Sequence, residues 1–342
     1  MRFQHFALGI AATVALAAVP MQAQAKTRLI VNCFWPPQHL VCTKVLPAWL
    51  DEVEKVTEGR VVGNIPPKSV APPPEQLASV EKGIVDASVQ FNGLIGNRVN
   101  GALTAMQPFS GTRDAVAMTN AAWETNRKFY PDEFETVELL AQWVITPGDL
   151  YSGTDNPIVT VDDFKSRKVW ALPGPVANMA KSIGAAVVAT PAVKSNEVIA
   201  NGVVDSHFGL NGEGMKAFQV IPYTKSMTRF SKPVYSTTFS FFVNKDKWAE
   251  ISAEDQEAIR AISQDTVGVY AASLWYETSE TVHQTYADAG IEMVDADPAL
   301  EQALVDASMP IIEAWKRKTK AAGIVADGAL AFYLQRLGEL AQ

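Results

Sequence analysis

The segments KGIVDA at residues 82–87 and NGVVDS at residues 201–206 are nearly the same, and they decide the fold of this chain. Each one follows a short amphipathic stretch, residues 75–80 in the first case and residues 195–200 in the second. Glycine commonly follows the last residue of a helix, and a β-branched run predicts a strand. The same helix–glycine–strand unit therefore occurs once in each half of the chain.

Two copies of this unit predict an α/β fold with two lobes of related design and a cleft between them. Small ligands bind in such clefts, at the carboxyl ends of strands. The predicted first lobe contains residues 26–150, and residues 236–250 return to it. The second lobe contains residues 151–235. The strands of the repeated unit are predicted at residues 85–91 and 203–208.

The last third of the chain is predicted to be helical. Residues 252–255 resemble a capping box, which marks the start of a helix, and the helical pattern continues to Gly290. At ~1.5 Å per residue this helix would be roughly 55 Å long, enough to span both lobes. Two more helices, at residues 298–322 and 327–340, complete a predicted C-terminal part, residues 251–342, that packs on both lobes.

The first 25 residues have the features of a secretory signal peptide. Arg2 supplies the positive charge, residues 6–19 form a short apolar run, and Ala23-Gln24-Ala25 is a typical cleavage site. The apolar run is too short to be a lasting membrane span. We therefore expect cleavage after Ala25 and a soluble protein in the periplasm.

Charge and motifs exclude several classes of function. The formal net charge is −8 and no stripe of Lys and Arg is present, so a nucleic-acid partner is not expected. After the signal peptide the chain has three histidines, His39, His207 and His283, and it has no H-x-x-x-H, C-x-x-C or G-x-S-x-G pattern. We expect no catalytic activity, metal or cofactor. A periplasmic enzyme on the same two lobes is the alternative.

The chain has two cysteines, Cys33 and Cys42. In an oxidising compartment such a pair can form a disulfide. Formation requires the two Cα atoms to lie within about 7 Å, which the sequence does not determine. A disulfide and two buried thiols are both compatible with the sequence.

The chain resembles a known family in an ordered set of segments. Besides the two repeated segments, these are EVEKVTEGR at residues 52–60, DDFKSRKV at residues 162–169 and FVNKDKW at residues 242–248. They are similar to segments of the DctP-type periplasmic solute-binding proteins of tripartite ATP-independent periplasmic (TRAP) transporters. The resemblance implies a two-lobed protein that closes on one small organic acid and delivers it to membrane permease subunits. A monomer is expected.

The resemblance does not extend to two polar positions of the family's binding site. Family members carry an Arg directly after the Lys-Ile or Lys-Val pair of a second-lobe strand, and this Arg holds the ligand carboxylate. The position is Trp170 here. A second position, usually acidic in the family, is Phe208 here.

The predicted ligand-binding residues lie at strand ends that face the cleft. They are Trp35, Phe91, Asn92, Trp143, Trp170, His207, Phe208 and Asn211. Further candidates are Phe34, His39 and Gln90, together with one of Phe239 and Phe241 on the strand that returns to the first lobe.

These aromatic residues favour one ligand class over the usual carboxylates. Tryptophan offers the best aromatic face for a cation, and Trp35, Trp143, Trp170 and Phe208 could enclose one. The first hypothesis is therefore an onium zwitterion of the betaine or sulfonium type. The alternative is an aromatic or other organic carboxylate that stacks on the same rings, with its carboxylate held by backbone amides, Asn or His207.

Overall fold

The computed structural model describes residues 26–341. The predicted signal peptide, with its cleavage site after Ala25, lies outside the described residues. Eleven strands form two sheets in this part of the chain. The strands are β1 (Thr27–Asn32), β2 (Val61–Asn64), β3 (Ala87–Phe91), β4 (Val137–Val144), β5 (Asp149–Ser152), β6 (Lys168–Ala171), β7 (Ala186–Ala189), β8 (Ser206–Leu210), β9 (Ser226–Arg229), β10 (Thr238–Asn244) and β11 (Glu292–Asp295).

The first sheet has five strands in the order β2-β1-β3-β10-β4. Strands β1, β2 and β3 are parallel, whereas β10 runs antiparallel to both of its neighbours. All seven residues of β10 and all five of β3 are buried, because helices and loops cover both faces of the sheet. The carboxyl ends of β1 and β3 lie at one edge of this sheet.

The second sheet has six strands in the order β11-β9-β5-β8-β6-β7. Strands β6, β7 and β8 are parallel, and β5 runs antiparallel to β8 and β9. The chain passes between the sheets at residues 145–148 and returns at residues 230–237. These two connections pair with each other, since Gly148 N–H donates to Tyr235 O at 2.9 Å.

The repeated unit forms in both sheets with matching contacts. Gly83 and Gly202 have φ values of 66° and 65°, as glycines after a helix often do. Asp86 Oδ2 accepts from Ile30 N–H at 2.7 Å, and Asp205 Oδ1 accepts from Lys168 N–H at 3.1 Å. Each aspartate therefore binds the backbone of the neighbouring strand.

The strands of the repeated unit start later than the sequence predicts. They begin at Ala87 and Ser206, not at residues 85 and 203. The aspartate side chains bond to the neighbouring strand before the backbone pairing begins. The β-branched residues that precede each aspartate therefore belong to the turn. The carboxyl end of β8 moves from residue 208 to Leu210 for the same reason, and this shift affects the binding site.

Twelve α-helices surround the sheets within residues 26–341. They are α1 (Leu46–Val56), α2 (Gln76–Glu81), α3 (Ala115–Phe129), α4 (Val161–Lys165), α5 (Pro175–Ile183), α6 (Ser195–Ala200), α7 (Gly212–Ala217), α8 (Lys245–Ala249), α9 (Ala253–Ser263), α10 (Tyr270–Gln284), α11 (Pro298–Ala321) and α12 (Ala326–Leu340). Helix α11 packs on α5, whereas α12 packs on α3. Helix α11 also contacts the first lobe, where Trp315 Nε1–H donates to Asn100 O at 3.0 Å.

Helices α9 and α10 are joined by π-helical turns at Gln264–Val269 and form one continuous helix, the spanning helix. Ser252 caps it by accepting from Asp255 N–H, but the capping box is incomplete because Asp255 accepts from Arg60 instead. The helix ends at Gln284, and turns continue to Gly290. It is ~48 Å long.

The spanning helix contacts both lobes. At the end of α9 Ser263 Oγ accepts from Trp49 Nε1–H at 2.9 Å, which fixes the spanning helix to α1 of the first lobe. Near its end Ser279 Oγ accepts from Glu213 N–H in the second lobe at 3.1 Å. The predicted fold, two α/β lobes with a long helix across both, is confirmed.

Cys33 and Cys42 form a disulfide, with their Cα atoms 5.7 Å apart. The bond closes the loop that follows β1, and His39 lies within this loop. The disulfide is therefore the correct one of the two alternatives, a disulfide or two buried thiols, that the sequence left open. The loop is therefore covalently held at the edge of the sheet where β1 ends.

We expect loss of this disulfide to destabilise the protein. In the chain-entropy account, a loop of this length (a sequence separation of 9) contributes about 2.5 kcal/mol to the free energy of unfolding. The double variant Cys33→Ser/Cys42→Ser should lose about that amount in urea denaturation. Reductant should lower the denaturation midpoint of the wild type but not of the variant. An unchanged midpoint in reduced wild-type protein would contradict the prediction.

Candidate functional site

A cavity lies between the two lobes, at the carboxyl ends of β1, β3 and β8. It contains about 560 Å³ of space free of protein atoms, part of it open to solvent. Both lobes, both connections and the spanning helix contribute to its wall. The lining residues are Phe34, Trp35, His39, Pro73, Phe91, Leu94, Ile145, Leu172, Pro191, Ala192, Val193, Gly209, Leu210, Asn211, Glu213, Gly214, Phe218, Thr237, Phe239 and Trp275.

Aromatic rings from separate elements form the core of this wall. Phe239 of β10 stacks on Trp275 of the spanning helix, with ring centroids 5.8 Å apart. Trp35, after β1, lies 5.3 Å from Phe239 and 6.1 Å from Trp275. Phe91, at the end of β3, lies 5.5 Å from Phe239. These rings are positioned to hold a flat apolar group between the lobes.

One polar contact joins the two lobes across the cavity wall. His39 Nε2 lies 3.3 Å from Glu213 Oε1, and both residues are only 4% exposed. His39 Nδ1 accepts from Val41 N–H at 3.2 Å, so the neutral ring carries its proton on Nε2. That N–H has no aligned acceptor among residues 26–341, although it faces Glu213. We call these two residues the His39–Glu213 pair.

Two other polar residues of the wall differ in how many hydrogen bonds their side chains make. Asn211 caps α7 by accepting from Gly214 N–H, and its Nδ2 donates to the backbone and hydroxyl oxygens of Thr146. Its side chain is therefore fully used within the protein. Thr237 is 3% exposed, and its Oγ has no hydrogen-bond partner in the described chain. A bound solute could bind this hydroxyl.

No lysine or arginine is among the residues that line the cavity. The wall therefore offers no full positive charge to a carboxylate from a permanently charged side chain. A buried carboxylate without a partner costs several kcal/mol. The polar donors on this wall include the imidazole of His39, the hydroxyl of Thr237 and backbone amides.

Three of the eight predicted site residues line the cavity, namely Trp35, Phe91 and Asn211. Trp143 lies one layer behind the wall, stacked on Phe239 at 5.3 Å. Asn92 is buried beside the cavity, where its Nδ2 donates to Thr238 Oγ at 3.0 Å. Neither Trp143 nor Asn92 reaches the cavity surface in this structure.

The other three predicted residues lie inside the second lobe. Trp170 is within β6, fully buried, and its Nε1–H donates to Thr190 Oγ at 2.7 Å. Phe208 packs edge-on against Phe164. His207 stacks on Tyr151 with ring centroids 4.6 Å apart. Because β8 continues to Leu210, Gly209 and Leu210 occupy the strand mouth that the sequence assigned to residues 207 and 208.

The further candidates divide in the same way. Phe34, His39 and Phe239 line the cavity. Phe241 packs on Trp49 in the core, so Phe239 is the member of this pair that faces inward. Gln90 is bonded to the backbone of the proline-rich segment at residues 66–74, since its Nε2 donates to Pro73 O at 3.1 Å.

Sequence reasoning missed several lining residues. Trp275 has no local signal, because only the tertiary placement of the spanning helix turns it toward the cavity. Glu213 follows Asn211 by two residues, so extending the strand-mouth argument by one short turn would have included it. Phe218, at the end of α7, has no such signal.

The chain is similar to known proteins along most of its length. The family model described as bacterial extracellular solute-binding protein, family 7 (DctP), matches residues 31–318. The chain belongs to the DctP family. This DctP protein is 33% identical over 323 residues to the outer membrane transporter protein TsaT of Comamonas testosteroni, covering 93% of this chain and 94% of that protein.

A solved structure gives the same assignment. A TRAP periplasmic solute-binding protein from Bordetella bronchiseptica, with bound (R)- and (S)-mandelate, has a TM-score of 0.85 at 30% identity, covering 92% of this chain and 99% of that one. A TRAP solute-binding protein from Rhodoferax ferrireducens with benzoate has a TM-score of 0.81 at 21% identity, covering 92% and 98%. The second likeness concerns the fold alone. The predicted TRAP-type solute-binding role is confirmed.

Among residues 26–341 of this DctP protein, no helix combines the length and apolar character needed to cross a membrane.

A buried polar cluster lies between the second sheet and the end of the spanning helix. Tyr151 Oη lies 3.2 Å from Tyr286 Oη and 3.5 Å from Asp149 Oδ2. Burial raises the pKa of Asp149 to about 7. His283 Nε2 lies 3.7 Å from Asp149 Oδ2, and burial lowers the pKa of His283. Burial lowers the pKa of His207, which stacks on Tyr151, to about 3.

His207 should therefore reduce the stability of this DctP protein in acid. The unfolded chain binds a proton on this imidazole below a pKa of 6.5, whereas the folded protein does so only near a pKa of about 3. Stability present above pH 6.5 is lost as the pH falls toward 3. Between pH 7 and pH 5 the wild type should lose about 2 kcal/mol more than His207→Gln in urea denaturation.

The control for this prediction is His283→Gln. The His283 side chain is 19% exposed, so we expect a smaller change in the pH dependence. Asp149 acts in the opposite sense, because its raised pKa favours the folded protein at low pH; both variants leave it in place. Equal pH dependence in the wild type and His207→Gln would contradict the prediction.

Proposed function

We propose that this DctP protein captures an aromatic organic acid in the cavity between its lobes and delivers it to the membrane subunits of a TRAP permease. The observation that carries the proposal is a cavity wall with six aromatic residues and no lysine or arginine. The proposed place of action is the periplasm, after removal of the signal peptide. The role involves binding and release without chemical conversion, by a monomer.

The aromatic wall supports a ligand with a ring. A flat ring packed against Trp35, Phe239 and Trp275 would gain apolar burial and offset or edge contacts, worth about 0.5–1.5 kcal/mol per aromatic pair beyond the area buried. The mandelate complex of the relative with 30% identity supports the same ligand class. An aliphatic diacid would leave these rings without matching contacts.

The acid group needs donors other than the family's arginine. Trp170 occupies that position, and its indole N–H is already bonded to Thr190. The N–H of His39 and the hydroxyl of Thr237 are two buried side-chain donors on the wall without an aligned partner in the described residues. We propose that they bind the carboxylate, with one or more backbone amides.

A second candidate, an onium zwitterion, is supported by Glu213. This carboxylate lies on an aromatic wall and is only 4% exposed, an arrangement that suits a cationic group. The enclosure proposed from the sequence is not assembled in this structure: of Trp35, Trp143, Trp170 and Phe208, only Trp35 lines the cavity. The aromatic acid is therefore the first candidate.

A thermal-shift screen should test the ligand class. We expect mandelate, benzoate and their ring-substituted relatives to raise the melting temperature, and succinate to leave it unchanged. Ligand at about 100 times its Kd stabilises the folded protein by roughly 2.7 kcal/mol. Stabilisation by succinate-like diacids alone would contradict the proposal, and conversion of the added compound to a new product would favour an enzyme.

Two tryptophan variants should distinguish the effect of a ring on the cavity wall from that of a ring buried in the core. Trp35→Leu removes a ring from the cavity and should weaken binding of the aromatic acid about tenfold or more, equivalent to about 1.4 kcal/mol, in calorimetric titration. Trp170→Phe is the matched control, because it alters a buried indole off the wall. It should change affinity less than twofold. The reverse ranking would place the ligand against β6.

Glu213→Gln should distinguish the two ligand classes. The variant removes a negative charge from the wall while keeping the shape of the side chain. An aromatic carboxylate should bind at least as tightly as it does to the wild type, because a like charge has been removed. An onium zwitterion should lose about tenfold in affinity, because its counter-charge has been removed. Calorimetric titration with mandelate and with glycine betaine measures both.

A further inference from the structure

A second space adjoins the cavity on its solvent side. It is wider and more open, with about 1240 Å³ free of protein atoms including open solvent. Gln38 and Lys44 line it from the first lobe, and Asn196, Lys216 and Gln219 line it from the second. We call this space the outer cleft. Its lining has more polar side chains than that of the cavity.

The outer cleft and the cavity share one wall. His39, Val193, Glu213 and Phe218 line both spaces. The His39–Glu213 pair belongs to this wall, and its members come from opposite lobes with Nε2 and Oε1 3.3 Å apart. Separation of the lobes would break this contact and join the two spaces. The outer cleft is therefore on a direct route from solvent to the cavity.

The charge of the outer cleft differs from that of the whole chain. The chain has a formal net charge of −8, which repels an anionic solute at long range. The outer cleft is lined by two lysines, Lys44 and Lys216, one from each lobe. Both are exposed, and neither makes an ion pair with a residue in 26–341, whereas Lys194 nearby pairs with Glu197.

The acidic lining of the outer cleft is limited to Glu213. That residue is almost fully buried and faces His39, so the solvent-facing part of the cleft is positive. A small region of one sign between low-dielectric walls concentrates counter-ions and raises their association rate. The two lysines can do this for a carboxylate even though they do not line the cavity itself.

We propose that the outer cleft is a capture site for the anionic group of the solute, and that Lys44 and Lys216 accelerate its entry past the His39–Glu213 pair. This inference rests on the proposed function, because it requires an anionic ligand. The acid is first held between the two lysines. Its ring then enters the cavity as the pair separates, and the lobes close over it.

The test measures association kinetics of mandelate by stopped-flow tryptophan fluorescence, since Trp35 and Trp275 line the cavity. In Lys44→Gln/Lys216→Gln the association rate should fall about three- to tenfold at ~0.01 M ionic strength, where charges act over ~30 Å. The dissociation rate should not change. The difference from the wild type should vanish near 1 M salt, where the screening length is ~3 Å.

Two controls make the result specific. Lys181→Gln/Lys225→Gln removes the same total charge from exposed residues that line neither space, and it should leave the association rate within twofold. Mandelamide, a neutral analogue of mandelate, should associate with the wild type and the cleft variant at equal rates. An unchanged association rate for mandelate, or a change confined to dissociation, would overturn the proposal.

Failure of the proposed function gives a different result. If glycine betaine is the ligand and no aromatic acid binds, the premise of an anionic solute is wrong and the capture role falls with it. If mandelate binds but the cleft variant and the control variant slow its association equally, the aromatic-acid function stands. The outer cleft then has no special part in entry.

Discussion

The attachment of one helix to both lobes is the constraint on which the binding site depends. Trp49 holds the α9 part of the spanning helix against the first lobe through Ser263, and Ser279 binds the backbone of Glu213 in the second. Between these points the π-helical turns let Gly268 approach Gln142 O closely enough that a Cβ atom would lie 2.7 Å from it. This close contact determines which face of the spanning helix is turned toward the cavity, and so places Trp275 against Phe239.

The cavity combines a strong apolar driving force with a weak electrostatic one. Burial of a ring against Trp35, Phe91 and Phe239 supplies binding energy in proportion to the area removed from water. A carboxylate entering the same space loses hydration and meets imidazole, hydroxyl and backbone donors in place of an arginine. Affinity would then depend on the ring, and discrimination between acids on the fit of their rings. Such a site differs from one in which a guanidinium fork binds the acid group first.

The fold was largely predictable from the sequence because it rests on repeated local signals. Gly83 and Gly202 mark the same turn in each lobe, and Ser252 marks the start of the spanning helix. The predicted strand bounds were less accurate, because the side chains of Asp86 and Asp205 bond to the neighbouring strand where the β-branched residues predicted backbone pairing. The binding site was harder to predict for this reason. A shift of two residues in β8 replaced His207 and Phe208 at the strand mouth with Gly209 and Leu210, and Trp275 depends on tertiary placement alone.

The connection at Gly148 carries a consequence for the evolution of this protein. A Cβ atom there would lie 2.3 Å from Gly209 O, and backbone cannot move aside as a flexible side chain can. Residue 148 lies where the chain leaves the first lobe, beside the strand mouth that lines the cavity. Substitutions elsewhere on the wall can change which solute fits, whereas one at this position would hold the connection away from β8. Selection for new solutes is therefore free to act on the rings but not on the joint between the lobes.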